Sequence, residues 1–381
     1  MSAVSGRYAI VGVGESDVGR RLGRSGLALH IEATARALAD AGLDKSAIDG
    51  LLTRPSHGNP QFNYSGVLAG RLGISPTYFN DIALSGASSA SLVMEAVAAL
   101  EAGLCTTVLC VNGDAQGANR RGGLTNWIED FEKPYGMLGA PESYALAAHR
   151  HMHEFGTTTD QFGAVAIACR KHASLNPKAT FRTPITLEDH RASRMIADPF
   201  RALDCCPVTD GAGAIIITSA ERARDMAKKP VYILGLGQGF THSDLAYTPT
   251  MTTASMRSSA QRAYAMAKLG PKDMDVAELY DCFTYVVLLT LEDYGFCGKG
   301  EGGAFVEGGR IELGGALPVN TGGGLLSHGH ASGTLLITEA AIQMRGEAGS
   351  RQVADAETVI VSGQCAVNGI NVCLILGNSP N

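Results

Sequence analysis

The chain has 381 residues, of which 45% are hydrophobic and 18% charged, a composition typical of globular proteins. Its formal net charge of −6 and the lack of long basic runs argue against a nucleic-acid-binding function. No segment approaches the run of about 18 apolar residues that spans a membrane, and the first residues lack the apolar core of a signal peptide. We therefore expect a cytoplasmic protein that does not insert into a membrane.

The cysteines and a group of histidines give no sign of a metal site. The nine cysteines form no Cys-x-x-Cys pair, which predicts reduced thiols rather than a disulfide framework or a zinc site. His149, His151 and His153 fall on one predicted helix, where only the first and the last share a face. Without a third ligand, we expect all three on the surface, and we expect no metal and no tightly bound cofactor.

Strands and helices alternate in the first half of the chain. The earliest predicted elements are a strand, a helix, a strand and a helix at residues 8–13, 27–41, 48–52 and 64–72. A strand at 77–84, a turn of small residues at 85–89, a helix to about residue 102 and a buried strand at 106–112 follow. This strand–helix–strand order predicts a parallel sheet.

A long polar segment at residues 114–201 interrupts this pattern and contains predicted helices near 141–153 and 159–174. Such an excursion between core strands usually serves as a lid, a substrate cover or a subunit contact. A strand at 210–218 and a short helix then end the first half near residue 228.

The second half, residues 229–381, repeats the order of the first. Its last strand–turn–helix–strand unit consists of residues 313–320, a loop, and residues 334–344 and 358–362. The turn at 85–89 and that loop therefore occupy equivalent places. Two copies of an α/β unit, each with a loop at the carboxyl edge of a strand, predict one site between the copies.

The loop at residues 320–333 reads N-T-G-G-G-L-L-S-H-G-H-A-S-G. Glycine allows close approach of the backbone to a ligand, or a positive φ. A histidine where such a loop meets a helix N-terminus lies beside free N–H groups, which suits oxyanion binding and proton transfer. The alternative is a glycine-rich turn with surface histidines.

Taken in order, several segments resemble the thiolase superfamily over essentially the whole chain, and most of all its bacterial sterol-carrier/lipid-transfer branch. The matching segments are A-I-V-G-V-G-E at 9–15, the Ser85-Gly86 turn, D-C-C-P-V-T-D-G-A at 204–212, Y-D-C-F at 280–283, Gly329-His330 and the box around Cys365. The resemblance implies a thiolase fold, with duplicated βαβαβαββ halves that form a five-layer α-β-α-β-α sandwich. It also implies a homodimer or a dimer of dimers in which the sheet continues across the dimer interface.

Position by position, His330 matches the family's catalytic histidine, Cys365 its second cysteine and Tyr280 the Asn or His of its oxyanion box. The A-V-N sequence at 366–368 departs from the glycines usual after that cysteine. The resemblance further predicts that the matching loops contact the substrate through Ser85, Gly86, Gly323, Gly324, His328, Gly329 and Gly369.

The thiolase nucleophile is missing. Thiolases read Cys-x-Ser-Gly where this chain reads A-L-S-G, so Ala83 stands at the position of the nucleophile and cannot carry an acyl group. A branch of the family without the nucleophile consists of retro-aldolases that act on β-hydroxyacyl-CoA thioesters with a small OB-fold and zinc-ribbon partner. That branch uses a tyrosine pair, of which Tyr280 matches one member while His330 stands at the other position.

We therefore expect an enzyme that takes a CoA thioester as substrate and cleaves a β-hydroxyacyl-CoA without an acyl-enzyme, with Tyr280, His330 and Cys365 as catalytic residues. One alternative is a β-ketoacyl-CoA thiolase, an acetyl-CoA acyltransferase, whose nucleophile comes from Ser85, Ser88 or a partner subunit. Another is a non-catalytic acyl-CoA-binding subunit. For the single residues, the alternatives are that Tyr280 is a core tyrosine and that Cys365 is a small buried hydrophobic residue.

Overall fold

The computed structural model describes residues 4–56, 61–115, 133–137 and 139–380. Its strands are β1 (Tyr8–Glu15), β2 (Gly50–Thr53), β3 (Tyr78–Asp81), β4 (Thr107–Ala115), β5 (Met195–Ala197), β6 (Phe200–Arg201), β7 (Asp210–Ser219), β8 (Val231–Phe240), β9 (Val276–Glu278), β10 (Thr358–Cys365) and β11 (Ile370–Gly377). Its α-helices are α1 (Gly26–Ala41), α2 (Tyr64–Leu72), α3 (Ser88–Glu101), α4 (Ala140–Phe155), α5 (Thr159–Leu175), α6 (Leu187–Ala192), α7 (Ala220–Ala223), α8 (Met256–Ala267), α9 (Thr284–Asp293), α10 (Gly302–Val306) and α11 (Thr334–Arg345).

The main sheet is mixed, with the strand order β3-β2-β4-β7-β1-β8-β11-β10-β9. It is parallel from β3 through β2 to β4, and between β10 and β9, as the strand–helix–strand units predict. The central strands are antiparallel to their neighbours. The two halves of the chain meet where Ala9 pairs with Tyr232 and Ile10 with Val231.

Helices cover both faces of each half. Helix α1 packs on β1, β4 and β7, and α8 packs on β8 and β11, so these two helices form the outer layers. Helices α3 and α11 lie between the halves, because each of them contacts strands of both. A helix enclosed in this way is apolar on most sides, and α11 accordingly buries residues all around its axis. The two halves of the continuous sheet therefore form two layers with helices between them and on both outer sides. This is the expected order helices–sheet–helices–sheet–helices.

Two local expectations are wrong. Residues 313–320 form no strand, since only Val319 makes a bridge to Ala277 of β9 after a series of turns. His151 is fully buried rather than on the surface, and its ring nitrogens lie 2.8 Å from the Thr157 hydroxyl and 3.0 Å from the Glu292 carboxylate. Its burial comes from packing of α4 on the second half of the chain, which the periodicity of α4 alone does not show.

The lid segment expected at 114–201 is described in part, because residues 116–132 and 138 lie outside the described residues. The remainder contains helices α4 to α6 and the two-stranded sheet of β5 and β6. Helix α5 packs against α9 and against the π-helical turn Gly324–His328. The segment therefore packs on the second half of the chain. The boundary between the halves at residue 228 stays a prediction.

Candidate active site

A tyrosine–histidine pair lies between the halves. Tyr280 follows β9, and its Oη is 2.9 Å from Nε2 of His330, with the two rings edge to face. The Ser362 hydroxyl accepts the Tyr280 backbone N–H at 2.8 Å. Tyr280 is only 6% exposed, and burial, followed by the nearby Cys282 and Cys206 thiols, raises its pKa well above the usual value. The phenol is therefore protonated at neutral pH and can donate its proton to His330.

Gly86 brings the first-half turn into contact with this pair. A Cβ at position 86 would lie 2.3 Å from Tyr280 Oη and 2.3 Å from the Gln364 carbonyl oxygen, so no larger residue fits. The preceding residue, Ser85, has a φ of +46°, a conformation that is costly for any residue with a Cβ. Ser85 and Ala83 are both exposed. The turn that the resemblance aligns with the thiolase nucleophile segment is therefore strained at Ser85, and Ala83 offers no nucleophile there.

Cys365 ends β10 and also contacts the Ser85–Gly86 turn. Burial raises the pKa of its thiol, while hydrogen bonds from the Ser85 side chain and from the backbones of Ala366 and Gly86 lower it. Burial has the larger effect, so the thiol is protonated at neutral pH and can serve as a proton donor. The structure therefore brings Tyr280, His330, Cys365, Ser85 and Gly86 together.

The loop after Cys365 keeps a glycine-like conformation without the glycines. Ala366, Val367 and Asn368 have φ values of +55°, +47° and +75°, and the Gly369 N–H closes the turn on the Ala366 carbonyl at 2.9 Å. A Cβ at Gly369 would lie 2.0 Å from the carbonyl oxygen of His242. Gly369 is therefore fixed by packing.

The glycines of the histidine loop pack internally. Gly323 and Gly324 have φ values of +104° and +61°, and a Cβ at Gly324 would lie 2.1 Å from Asp281 Oδ2. The Asp281 carboxylate accepts the backbone N–H groups of Leu325 at 2.7 Å and Leu326 at 3.2 Å, which begins the π-helical turn. Burial raises the pKa of Asp281 to about 6. Asp281 thus couples the tyrosine segment to the histidine loop.

His328 and Gly329 likewise face the first half of the chain. His328 is 4% exposed, and its Nε2 lies 3.9 Å from Oε2 of Glu15. Gly329 has a φ of +150°, and a Cβ there would lie 2.6 Å from Val18. Packing against neighbouring residues accounts for the conformation of Gly323, Gly324 and Gly329 and for the burial of His328. That these four residues contact the substrate stays a prediction.

Sequence reasoning missed two residues of this site. Arg54, directly after β2, is 7% exposed and acts electrostatically on Tyr280 and Cys365. The buried Tyr144 accepts a hydrogen bond from Gln364 Nε2 at 3.0 Å, and its ring lies 4.8 Å from that of Phe283. A cation directly after an apolar strand was a usable signal for Arg54. Tyr144 had no such signal, because its partners are distant in sequence.

Two general properties bear on chemistry and location. Across the residues given above as described, no cluster of three or more His, Cys, Asp or Glu side chains could hold a metal ion. Within the same part of the chain, every helix is too short or too polar to cross a bilayer. The arrangement offers an acid–base pair, Tyr280–His330, and a protonated thiol, Cys365, both next to Gly86.

The chain is similar to known proteins over nearly its whole length. Residues 237–378 match a family model described as thiolase C-terminal domain-like. The chain is 39% identical to a 17-hydroxy-3-oxo-4-pregnene-20-carboxyl-CoA lyase of Mycobacterium tuberculosis, over 94% of this chain and 96% of the relative. It is 36% identical to a steroid side-chain-cleaving aldolase of Thermomonospora curvata, over 95% and 96% of the two chains.

The fold is shared as well. The solved structure of the Ltp2-ChsH2(DUF35) aldolase superposes with a TM-score of 0.92 at 36% identity, and the match covers 99% of both chains. The α/β thiolase fold and the family expected from the sequence are confirmed. This chain belongs to the thiolase superfamily.

Proposed function

We propose that this chain cleaves a β-hydroxyacyl-CoA thioester by a retro-aldol reaction without forming an acyl-enzyme. The observation that carries this proposal is the Tyr280–His330 hydrogen bond of 2.9 Å beside the protonated Cys365 thiol, with Ala83 at the former nucleophile position. Two relatives that align over nearly the whole chain, named as a CoA lyase and a side-chain-cleaving aldolase, support the same class of reaction.

The reaction divides into cleavage of the Cα–Cβ bond and protonation of the resulting enolate. The β-hydroxyl of the substrate gives its proton to Tyr280 Oη as the phenol proton passes to His330 Nε2, and the Cα–Cβ bond breaks. The bonding electrons move into the thioester as an enolate, and the β-carbon leaves as a ketone or aldehyde. Cys365 then protonates Cα, which yields the shortened acyl-CoA. Solvent returns the proton from the Tyr280–His330 pair to Cys365.

The substrate is proposed to be a large apolar acyl-CoA, with a steroid side-chain thioester as the first choice. The names of both relatives refer to steroid-type substrates. Val208, which bridges to His330, is 40% exposed and offers an apolar contact beside that histidine. A short and a steroid β-hydroxyacyl-CoA compared at equal concentration would separate the two substrate classes.

Two partners are proposed. The similar aldolase structure contains a ChsH2(DUF35) component, which supports a small partner of the OB-fold and zinc-ribbon type for this chain. A second copy of the chain is proposed to pair along β3. This strand lies at the edge of the sheet, its central residues are exposed, and Phe79 is 49% exposed. Activity measured with and without the DUF35-type protein would test the first partner.

The proposed reaction is tested by mass spectrometry together with turnover. The intact protein is mixed with acetyl-, propionyl- and β-hydroxyacyl-CoA, and product release is followed in parallel. We expect cleavage of the β-hydroxyacyl-CoA and no stable acyl adduct. The exposed Ser85 lies beside Cys365, so an adduct lost in Ser85→Ala would instead establish an acyltransferase. Neither turnover nor adduct, with the partner present, would indicate a non-catalytic binding subunit.

A further inference from the structure

A buried cation lies beside the proposed reaction centre. Arg54 directly follows β2 and is 7% exposed. Because β2 runs parallel to both β3 and β4, the chain leaves β2 at the same edge of the sheet at which the Ser85–Gly86 turn follows β3. Arg54 therefore lies at the edge of the sheet where the site is found, and it interacts electrostatically with Tyr280 and Cys365.

Asp114 supplies the opposite charge. It lies near the end of β4 and is 1% exposed. Among the charged groups around Arg54, Asp114 has the strongest electrostatic effect. Its Oδ1 accepts hydrogen bonds from the Ser56 hydroxyl at 2.7 Å and from the Ala115 backbone N–H at 2.9 Å. A buried guanidinium is stable only beside such a fixed anion, since an isolated buried charge is costly. Asp114 therefore holds Arg54 charged and in place.

The charge of Arg54 reaches both proton-transfer groups. It favours the ionised form of Tyr280, against burial and the thiols of Cys282 and Cys206. It also lowers the pKa of Cys365, against the burial that raises it. On the described residues, the ionisable side chains that act on the two groups include Arg54, Tyr144, Cys206, Cys282 and His330, and the carboxylate of Asp114 acts on Arg54. Tyr144, Cys206 and Cys282 are neutral when protonated and negative when ionised. The guanidinium of Arg54 stays positively charged throughout the ordinary pH range.

We propose that Arg54 is a positioning residue whose buried charge, held by Asp114, stabilises the negative charge that passes from the β-oxygen to the enolate between Tyr280 and Cys365. This inference rests on the proposed function. No bond to Arg54 forms or breaks. Because the charge develops only along the reaction, its loss lowers kcat while KM stays nearly constant.

The kinetic test uses Arg54→Gln, Arg54→Lys and a matched control. Arg345 is also buried at 8% exposure and paired, with its guanidinium 2.6 Å from Asp40, but it ends α11 away from the site. We expect Arg54→Gln to lower kcat by about 100-fold with KM within about threefold, and Arg54→Lys to recover at least about tenfold of that loss. Arg345→Gln lowers thermal stability and leaves kcat within about twofold.

A second measurement does not depend on turnover. Alkylation of Cys365 by iodoacetamide is followed by peptide mass between pH 7 and pH 10, with the half-buried Cys297 as the internal reference thiol. In Arg54→Gln the Cys365 thiolate forms at higher pH, so Cys365 reacts more slowly relative to Cys297 than in the unchanged protein. Arg54→Lys keeps the charge and reacts nearly as the unchanged protein does.

The outcomes separate the two proposals. In one outcome, the wild-type protein cleaves no β-hydroxyacyl-CoA while Cys365 alkylation still shifts in Arg54→Gln. This result overturns the proposed function but not the electrostatic effect of Arg54 on Cys365. A folded Arg54→Gln protein with unchanged kcat and alkylation overturns the role of Arg54. If Arg54→Gln does not fold, Arg54→Gln/Asp114→Asn removes both buried charges, and an unshifted alkylation profile in it overturns the inference equally.

Discussion

Gly86 and Tyr280 occupy adjoining space so closely that a Cβ at position 86 would lie 2.3 Å from the tyrosine hydroxyl oxygen. The glycine belongs to the first half of the chain and the tyrosine to the second. The site therefore exists only where the halves are packed against each other, and the size of residue 86 controls the position of the phenol.

Gly86→Ala is expected to displace Tyr280 and to lower kcat by at least about 100-fold, with a loss of stability of about 1–3 kcal/mol from overpacking. The control is Gly70→Ala within α2, where a Cβ meets no atom within 4 Å. Alanine at that helical position stabilises the protein by about 1 kcal/mol. Thermal melts and steady-state kinetics measure both effects. Full activity in Gly86→Ala would show that the phenol position is not critical.

Removing either member of the hydrogen-bonded pair should abolish most catalysis. Tyr280→Phe and His330→Gln are each expected to lower kcat by about 10²–10⁴-fold, because each removes a site of proton transfer. The double variant should be little worse than the single ones, since the two residues act as a unit. Tyr294→Phe is the control, as its buried hydroxyl bonds Asn371 at 3.0 Å in the second half. Wild-type turnover in both single variants would disprove the assignment.

The raised pKa of Asp281 predicts a dependence of stability on pH. Burial raises this pKa from 3.8 to about 6, so the folded state holds the proton over a range where the unfolded state has lost it. The stability linked to this proton is present below pH 3.8 and is lost as the pH rises through about 6. At about 1.4 kcal/mol per pH unit, the loss is at most about 3 kcal/mol.

Asp281→Asn isolates that effect, since asparagine does not titrate. The free energy of unfolding is measured with urea at pH 4 and at pH 7. The stability of the wild-type protein relative to the variant should be lower at pH 7 than at pH 4. Above about pH 6 the variant also lacks the charged acceptor of the Leu325 and Leu326 N–H groups, so it is expected to be less active in that range. An equal stability difference at both pH values would contradict the raised pKa.

The proposed pairing along β3 predicts a change of oligomeric state. Phe79→Glu places a charge at the centre of this edge strand and is expected to shift the protein from dimer to monomer in size-exclusion chromatography with light scattering. Tyr247→Glu is the control, since Tyr247 is 73% exposed in the second half. A dimer that persists in Phe79→Glu would place the interface elsewhere.

The sequence by itself determined the class of fold and most of its elements. The predicted helix at 64–72 coincides with α2, and the helices predicted near 141–153 and 159–174 correspond to α4 and α5. Local apolar periodicity and capping residues suffice for such elements, because helix formation depends on neighbours in sequence. The resemblance to the thiolase superfamily also predicted Tyr280, His330 and Cys365 as a set, and the structure brings them together around Gly86.

Only the tertiary structure decided which of the remaining residues face that set. His151 is buried by Glu292, which is 141 positions away, and Tyr144 bonds Gln364, 220 positions away. The glycines at 323 and 324 accommodate internal packing. Contacts of this kind arise when the two halves close on each other. Their energetics depend on burial and on charges from distant segments, which no local pattern in the sequence encodes.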